Sequence, residues 1–402
     1  MAVPVPRASV RPRLPIVAGL LFVDLLGFSA LIPILPRLRD ALGVGEAAIG
    51  VLVAAMPLGT ALATLPMGRI TELVGPRRVT ISGAVAVGIA FLAFGTLTVY
   101  PWLLGARLLQ GVASAALWVA GPAWVALGDP AGRARRLATT TGAGMAGTIV
   151  GAGLGGIMAD RVGLFSAFVA LGVAALVGAA IALVATSRPT GTGPPTTRLL
   201  ESLSLGFRSV RFRTGAATTL LAAGIGASEA ALLALALGDL GYREAELGLW
   251  LSIAGVSLVV GQVSGPRVAA RIGTAATLVA AGLGASALAL TVAIRPTTVP
   301  ILVMLVGLPL LTGWMYGLSL DLLASGAEEA GTSAAIGISY WNLAWAVGAT
   351  IGPVAITAVL EAGGISPAVA VVVAAGLAVA LVARSGRTGP PLPSRHPRDT
   401  QR

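Results

Sequence analysis

The sequence predicts an all-α integral membrane protein: twelve transmembrane helices in two parallel six-helix pseudo-repeats, with both termini cytoplasmic. Three observations predict it. Of 402 residues, 56% are hydrophobic, only 11% are charged and 54 are glycine, against roughly 25% charged and 7% glycine in an ordinary soluble domain. Apolar stretches recur along the chain at the length a bilayer demands. Arginines, finally, concentrate in alternate connecting segments.

A hydrocarbon core about 30 Å thick takes ~20 apolar residues per helical span. Charge-free stretches of at least 20 residues run over 47–68, 79–106, 108–128, 137–159, 162–187, 247–266, 272–294, 296–320, 330–360 and 362–383. Two more, about 14–36 and 214–238, are each interrupted by one acid, Asp24 and Glu229, which brings the count to twelve. Such runs read as helices, because lipid leaves the backbone no other partner than itself. With the N-terminus inside, 21 arginines fall on inside segments and five outside, at Arg37, Arg39, Arg161, Arg243 and Arg295. Arg107 stands within the fourth span. This asymmetry sets the orientation and accounts for a net charge of +11 through anionic lipid headgroups, with no nucleic-acid partner.

The divisions follow. Residues 1–13 form a cytoplasmic N-terminal tail, 14–186 a first six-helix bundle, 187–213 a central cytoplasmic loop, 214–385 a second bundle and 386–402 a C-terminal tail. The segment before the first span resembles a signal peptide, but its apolar run is too long and no small-residue cleavage site follows, so it reads as an uncleaved span. Within the central loop, 198–213 is expected to form a basic amphipathic helix.

All 27 basic residues are arginine, cysteine is absent, and the one histidine is His396 in the tail. Lysine-dependent phosphate binding or Schiff-base chemistry, thiolate nucleophiles, disulfides and Cys- or His-ligated metals are thereby excluded from the expectations. No cofactor and no metal site is expected.

The halves echo one another. Asp24 and Glu229 are 205 positions apart, Gly75 and Gly273 are 198 apart, and Gly147 with Gly151 stands 201 before Gly348 with Gly352. Offsets near 200 suggest duplication with both copies in one orientation, the plan of transporters that rock two halves about a midplane site.

Several positions carry chemistry. Gly68 and Gly75 flank Glu72 and precede Arg77 and Arg78; the spacing suits a tight inter-helix turn with a surface charge network, or simply a basic inside loop. Arg107, followed by Gln110 and Gly111, is costly inside a membrane unless it faces a cavity or a carboxylate; the alternative is a boundary arginine snorkelling outward. Gly147, Gly151, Ala152, Gly155 and Gly156 lie on a run of small residues suited to close helix approach. Asp24, near mid-membrane, is read either as a proton-exchanging acid or as a static partner of Arg107, with Glu229 the second candidate acid. Asp321 reads as a surface or latch residue. Of the aromatics Trp118, Trp124, Trp314, Tyr316, Tyr340, Trp341 and Trp345, the expected cavity residues are Trp118 and Tyr340, with Asn342 beside them; packing is the other reading.

The segment from Gly68 to Arg78 resembles the loop signature of the major facilitator superfamily, with Glu72 at the acid position and Pro76 replacing the first closing base. The resemblance implies a latch in which Glu72 faces Gly331, Thr332 and Ser333; its second-half echo has Ala270 at the acid position, so any latch is one-sided. Arg107, Gln110 and Gly111 are similar to that family's fourth-span motif, whose arginine takes part in proton relay. The fifth-span glycines resemble the antiport signature of its drug:proton exporters, with Ala152 in place of proline. The resemblance implies a monomeric multi-pass protein of the cytoplasmic membrane that exports a small lipophilic or amphiphilic molecule against protons, with Asp24, Arg107 and Glu229 in coupling. The alternatives are a sugar or small-metabolite symporter or facilitator and, from another class, a membrane sensor or enzyme.

Overall fold

The computed structural model describes residues 13–127, 132–185 and 204–385. Twelve helices long and apolar enough to cross a membrane follow one another, from Arg13–Leu42 to Ile365–Ser385. Their even number puts Arg13 and Ser385 at one end, called here the near end; the opposite end is the far end. The expected tails, and the part of the central loop over 187–203, lie outside the described residues. Within the described part of the expected amphipathic helix, residues 204–206 are helical, a turn follows at 207–208, and the seventh span starts at Val210. The single helix expected over 198–213 is therefore corrected to a break, closed where Ser209 caps the seventh span by accepting from the Phe212 N–H at 3.3 Å.

The first span is also not continuous. Helix Arg13–Ser29 gives way to a 3-10 turn, Ile32–Ile34, and then to helix Leu35–Leu42. Pro33 and Pro36 lack the N–H that would carry the α-helical ladder through this point, and the tighter turn absorbs the loss.

Connections are short, and glycine makes them possible. Eight described residues have positive φ, all glycine, and they fall into pairs: Gly43 with Gly241, Gly75 with Gly273, Gly132 with Gly331 and Gly163 with Gly364. The offsets are 198, 198, 199 and 201. Each pair ends or starts the corresponding helix in the two halves, so the duplication extends to backbone conformation. Gly68, by contrast, lies inside helix Glu46–Val74; of the two glycines expected to make the turn, Gly75 alone does so, at φ 93°.

Within each half, glycines set the helix spacing. A Cβ on Gly147 or Gly151 would strike the Phe22 or Leu26 carbonyl of the first span, and one on Gly348 or Gly352 the Leu220 or Gly224 carbonyl of the seventh. Gly59 and Gly111 bring the second and fourth spans together as Gly261 and Gly313 do the eighth and tenth. With no water to squeeze out between helices in lipid, such close van der Waals contact is what holds the bundle.

These contacts fix a register that corrects one expected echo. Phe22 matches Leu220 and Leu26 matches Gly224, an offset of 198. Asp24 therefore corresponds to Ala222, and Glu229 stands seven residues, ~10 Å, nearer the far end. The two acids are not equivalents.

Each half has its own apolar core, and Ala231, Ala234 and Leu235 of the seventh span join that of the first. The halves meet through the second span on the eleventh, the fifth on the eighth, and the end of the first span on the seventh and eighth. Glycines in close contact across the halves, Gly45, Gly50, Gly153, Gly156, Gly238, Gly248 and Gly255, all lie toward the far end. The molecule is sealed at the far end.

Candidate substrate and coupling site

The fourth span, Tyr100–Ala126, carries Arg107, Gln110, Ser114 and Trp118 at spacings of three and four, which places them on one helical face. That face meets the first span at Asp24. Asp24 is fully buried, and its Oδ2 accepts from Ser114 Oγ at 2.6 Å and from Trp118 Nε1 at 3.0 Å. Its Oδ1 has no hydrogen-bond partner.

Arg107 is also fully buried, which removes the snorkelling reading. One of its terminal nitrogens donates to Gln110 Oε1, while Nε and Nη2 have no partner, nor has Gln110 Nε2. The expected direct pair between Asp24 and Arg107 is not formed: no ion pair joins them, and the carboxylate is held instead about two to three turns further along the fourth span, at Ser114 and Trp118. The physical reason is rotamer reach. Gln110 engages one terminal nitrogen of the guanidinium from one turn away, and Ser114 and Trp118 are closer to the level of Asp24. Gly111 serves the opposite face, where the second span's Thr60 Oγ1 donates to its carbonyl at 3.1 Å.

Glu229 is 2% exposed and its Oε1 has no partner. The next residues on its helix, Ala231, Ala234 and Leu235, pack into the first half's core, so this acid sits just below the sealed far end. A buried carboxyl without donors is held far more cheaply neutral than charged.

Aromatic side chains surround the midplane. Phe28 meets Trp345 edge-on across the halves, with centroids 6.0 Å apart, and Tyr316 meets Trp341 at 5.6 Å. Trp118 is half-buried and borders Gly144 of the fifth span. The other two expected cavity residues are not brought to it. Tyr340 stacks with Phe207 and Phe212 near the start of the seventh span, at 5.1 and 5.2 Å, and Asn342 turns back to its own helix, donating to the Ile338 carbonyl at 3.1 Å. Trp124 is wholly buried in the core. Ser114 and Phe28 were missed at the sequence level; Ser114 was findable from the stripe it completes with Arg107, Gln110 and Trp118.

In the fifth span the glycine run has two faces. Gly147, Gly151 and Gly155 touch the first span, while Ala152 and Gly156 touch the eighth span of the other half at Gly248 and Glu244. The run thus couples an intra-half contact to the inter-half seam. In the Gly68 to Arg78 segment, Glu72 pairs with Arg69 at 3.1 Å, one turn back on the same helix. Arg77 is buried and donates to the Leu183 carbonyl at 2.8 Å, tying the turn to the sixth span; Arg78 is exposed.

A family model described as Major Facilitator Superfamily matches residues 17–349. Multidrug resistance protein 2 of Bacillus subtilis (strain 168) is 28% identical over 140 residues, a match that spans 35% of each chain. Among solved structures, a bacterial homologue of the human lysosomal transporter Spinster, in an inward-facing and unoccupied conformation, superposes with a TM-score of 0.73 at 13% identity, covering 96% of both chains. The nucleoside transporter NupG gives 0.73 at 15% identity, over 94% of this chain and 98% of that one. At such identities these structures speak for the fold alone.

Proposed function

The chain belongs to the Major Facilitator Superfamily, and from this premise we propose that it exports a small lipophilic or amphiphilic molecule across the cytoplasmic membrane in exchange for protons, the near end facing the cytoplasm. Membership makes it a multi-pass membrane transporter rather than an enzyme. The observation that carries the proposal is the buried Asp24 carboxylate, clamped on one oxygen by Ser114 and Trp118 and bare on the other. The relative named for multidrug resistance supports an export role.

In the proposed cycle, substrate enters between the halves from the near end and lies against Phe28, Trp118, Tyr316, Trp341 and Trp345. Oδ1 of Asp24, the oxygen that accepts no hydrogen bond, takes the proton. Ionised Asp24 offsets the buried charge of Arg107 within the same half; protonation removes that offset and changes which arrangement of the halves is favoured. Glu229, beneath the seal, is the second proton carrier. The Glu72 latch toward Gly331, Thr332 and Ser333 belongs to the opposite state, in which the near end closes. Ala152, where the exporter motif has proline, favours a second reading as a facilitator or symporter of a small metabolite.

Reconstitution in liposomes holding a pH dye tests both. Under an imposed proton gradient, a lipophilic substrate should discharge the gradient through the wild type and not through Asp24→Asn. Substrate movement without proton flux selects the facilitator reading, and full coupling in Asp24→Asn moves the proton to Glu229.

A further inference from the structure

The two halves match in backbone but not in side-chain volume. At the offset of 198 that matches Phe22 to Leu220, Leu26 stands where the second half has Gly224. At the offset of 201 shared by the fifth and eleventh spans and by the turn glycines Gly163 and Gly364, Leu154 matches Ala355 and Leu171 matches Val372. In the first half all four side chains fill the core, Leu26 and Leu171 as buried members and Phe22 and Leu154 packed against it. Each counterpart is smaller. The space they release is a cavity of about 150 Å³ between the seventh, eleventh and twelfth spans, with Leu220, Gly224, Gly348, Gly352, Ala355 and Val372 in its lining.

Polarity, access and depth say what fits there. Of the described residues that line the cavity, Ser228 alone has a polar side chain, and one hydroxyl cannot give a water the roughly two to four partners it needs. An apolar cavity of this size stays dry and accepts a small hydrocarbon guest. Its mouth faces lipid. By helical spacing, Trp345 and Ile351 flank the eleventh span's contact with the seventh on opposite sides. Trp345 meets Phe28 between the halves, while Ile351, on the outer side, borders the cavity and is 57% exposed. The lining residues of the seventh span, from Leu220 to Ser228, occupy the middle of helix Val210–Asp239, so lipid headgroups lie about 15 Å away on either side. Only the ends of acyl chains reach this depth.

We propose that the second half holds the terminal segment of a membrane lipid's acyl chain in this cavity, as a ligand that completes the packing of the seventh, eleventh and twelfth spans. The chain end supplies the contacts that Leu26, Leu154 and Leu171 supply in the first half. The helix contact itself leaves the room, since a Cβ on Gly224 would meet only the Gly348 carbonyl, at 3.6 Å. The site requires a bilayer around the protein and is independent of the substrate and of the coupled ion.

Photolabelling provides the test. The protein is reconstituted in phosphatidylglycerol vesicles with a trace of phospholipid carrying a diazirine at the end of one acyl chain or, in a parallel sample, beside the headgroup. The chain-end probe should label Ile351, Ala355 and Val371 several-fold more than Val150, the exposed first-half counterpart of Ile351, and Val177, exposed on the sixth span. The headgroup-level probe should show no such excess. Ala355→Leu and Val372→Leu each restore the first half's residue and should bring labelling at Ile351 down to the level of Val150. Unaltered labelling at Val150 and Val177 shows that the variants have folded. Equal labelling of Ile351 and Val150 in the wild type, or an excess that survives in both variants, would overturn the proposal. Displacement of the chain-end label by a lipophilic compound at concentrations that saturate its transport would also overturn it, and would assign the cavity to substrate.

Discussion

At Asp24 the two carboxylate oxygens are not equivalent, and the difference gives the residue-scale prediction. Oδ2 carries both hydrogen bonds, from Ser114 and Trp118, and Oδ1 carries none. A hydrogen bond to a charged group contributes about 1.5–3 kcal/mol, so losing one changes the carboxylate's occupancy roughly tenfold or more. Ser114→Ala and Trp118→Phe, each deleting one donor while keeping the bulk, should therefore cut gradient-driven flux about tenfold at equal protein level in the liposome assay. Trp118→Ala should in addition weaken substrate affinity, because the ring that borders Gly144 is then gone. Flux equal to wild type in both conservative variants would leave Asp24 as a core acid. The placing of Asp24 and Arg107 inside the spans was legible in the sequence, since a charge inside an apolar stretch stands out on its own. Their separation was not, because it depends on Gln110 and Ser114, ordinary polar residues whose reach is decided by side-chain rotamers.

For whole helices, contact between backbones decides more than side-chain chemistry. Gly151 and Gly352 occupy matching places in the fifth and eleventh spans, and a Cβ at either would meet a main-chain carbonyl of the helix opposite. Carbonyls cannot turn aside as a side chain can, so Gly151→Val or Gly352→Val should cost about 1–3 kcal/mol or more and lower the thermal midpoint of the detergent-solubilised protein. Gly68→Ala, in open space within a helix, should leave that midpoint unchanged or slightly raised, since alanine is the better helix former by about 1 kcal/mol. Gly75→Ala should cost about 1–3 kcal/mol through its φ of 93°. A thermal series that failed to separate Gly68 from Gly75 would undo this assignment of their roles. Spacing in the sequence assigned both glycines to the turn, and only the backbone shows that the helix runs past Gly68 and that Gly75 alone takes the positive φ. The break in the first span had its signal in Pro33 and Pro36, which apolar run length alone concealed.

Across the whole molecule the duplication is kept in the backbone and abandoned in the charges. The glycine contacts that pair Gly59 with Gly261 and Gly111 with Gly313 place Pro309 where the first half has Arg107 and Tyr316 where it has Ser114. With Ala222 opposite Asp24, the second half holds neither member of the buried charged set, so the two halves wall one cavity unequally. The twelve spans and their repeat were legible because lipid forces every backbone group into a helix and leaves only run length and turn glycines to vary. Orientation rests on a different argument, the arginine count, and it can be tested separately. Thr297, exposed at the far end, and Ser385, exposed at the near end, are the positions to probe in the cysteine-free chain. Thr297→Cys should react with a membrane-impermeant maleimide in intact cells, and Ser385→Cys only after the membrane is permeabilised. The reverse pattern would put the sealed end in the cytoplasm, and this state of the cavity would then open to the outside without any change to the contacts within it.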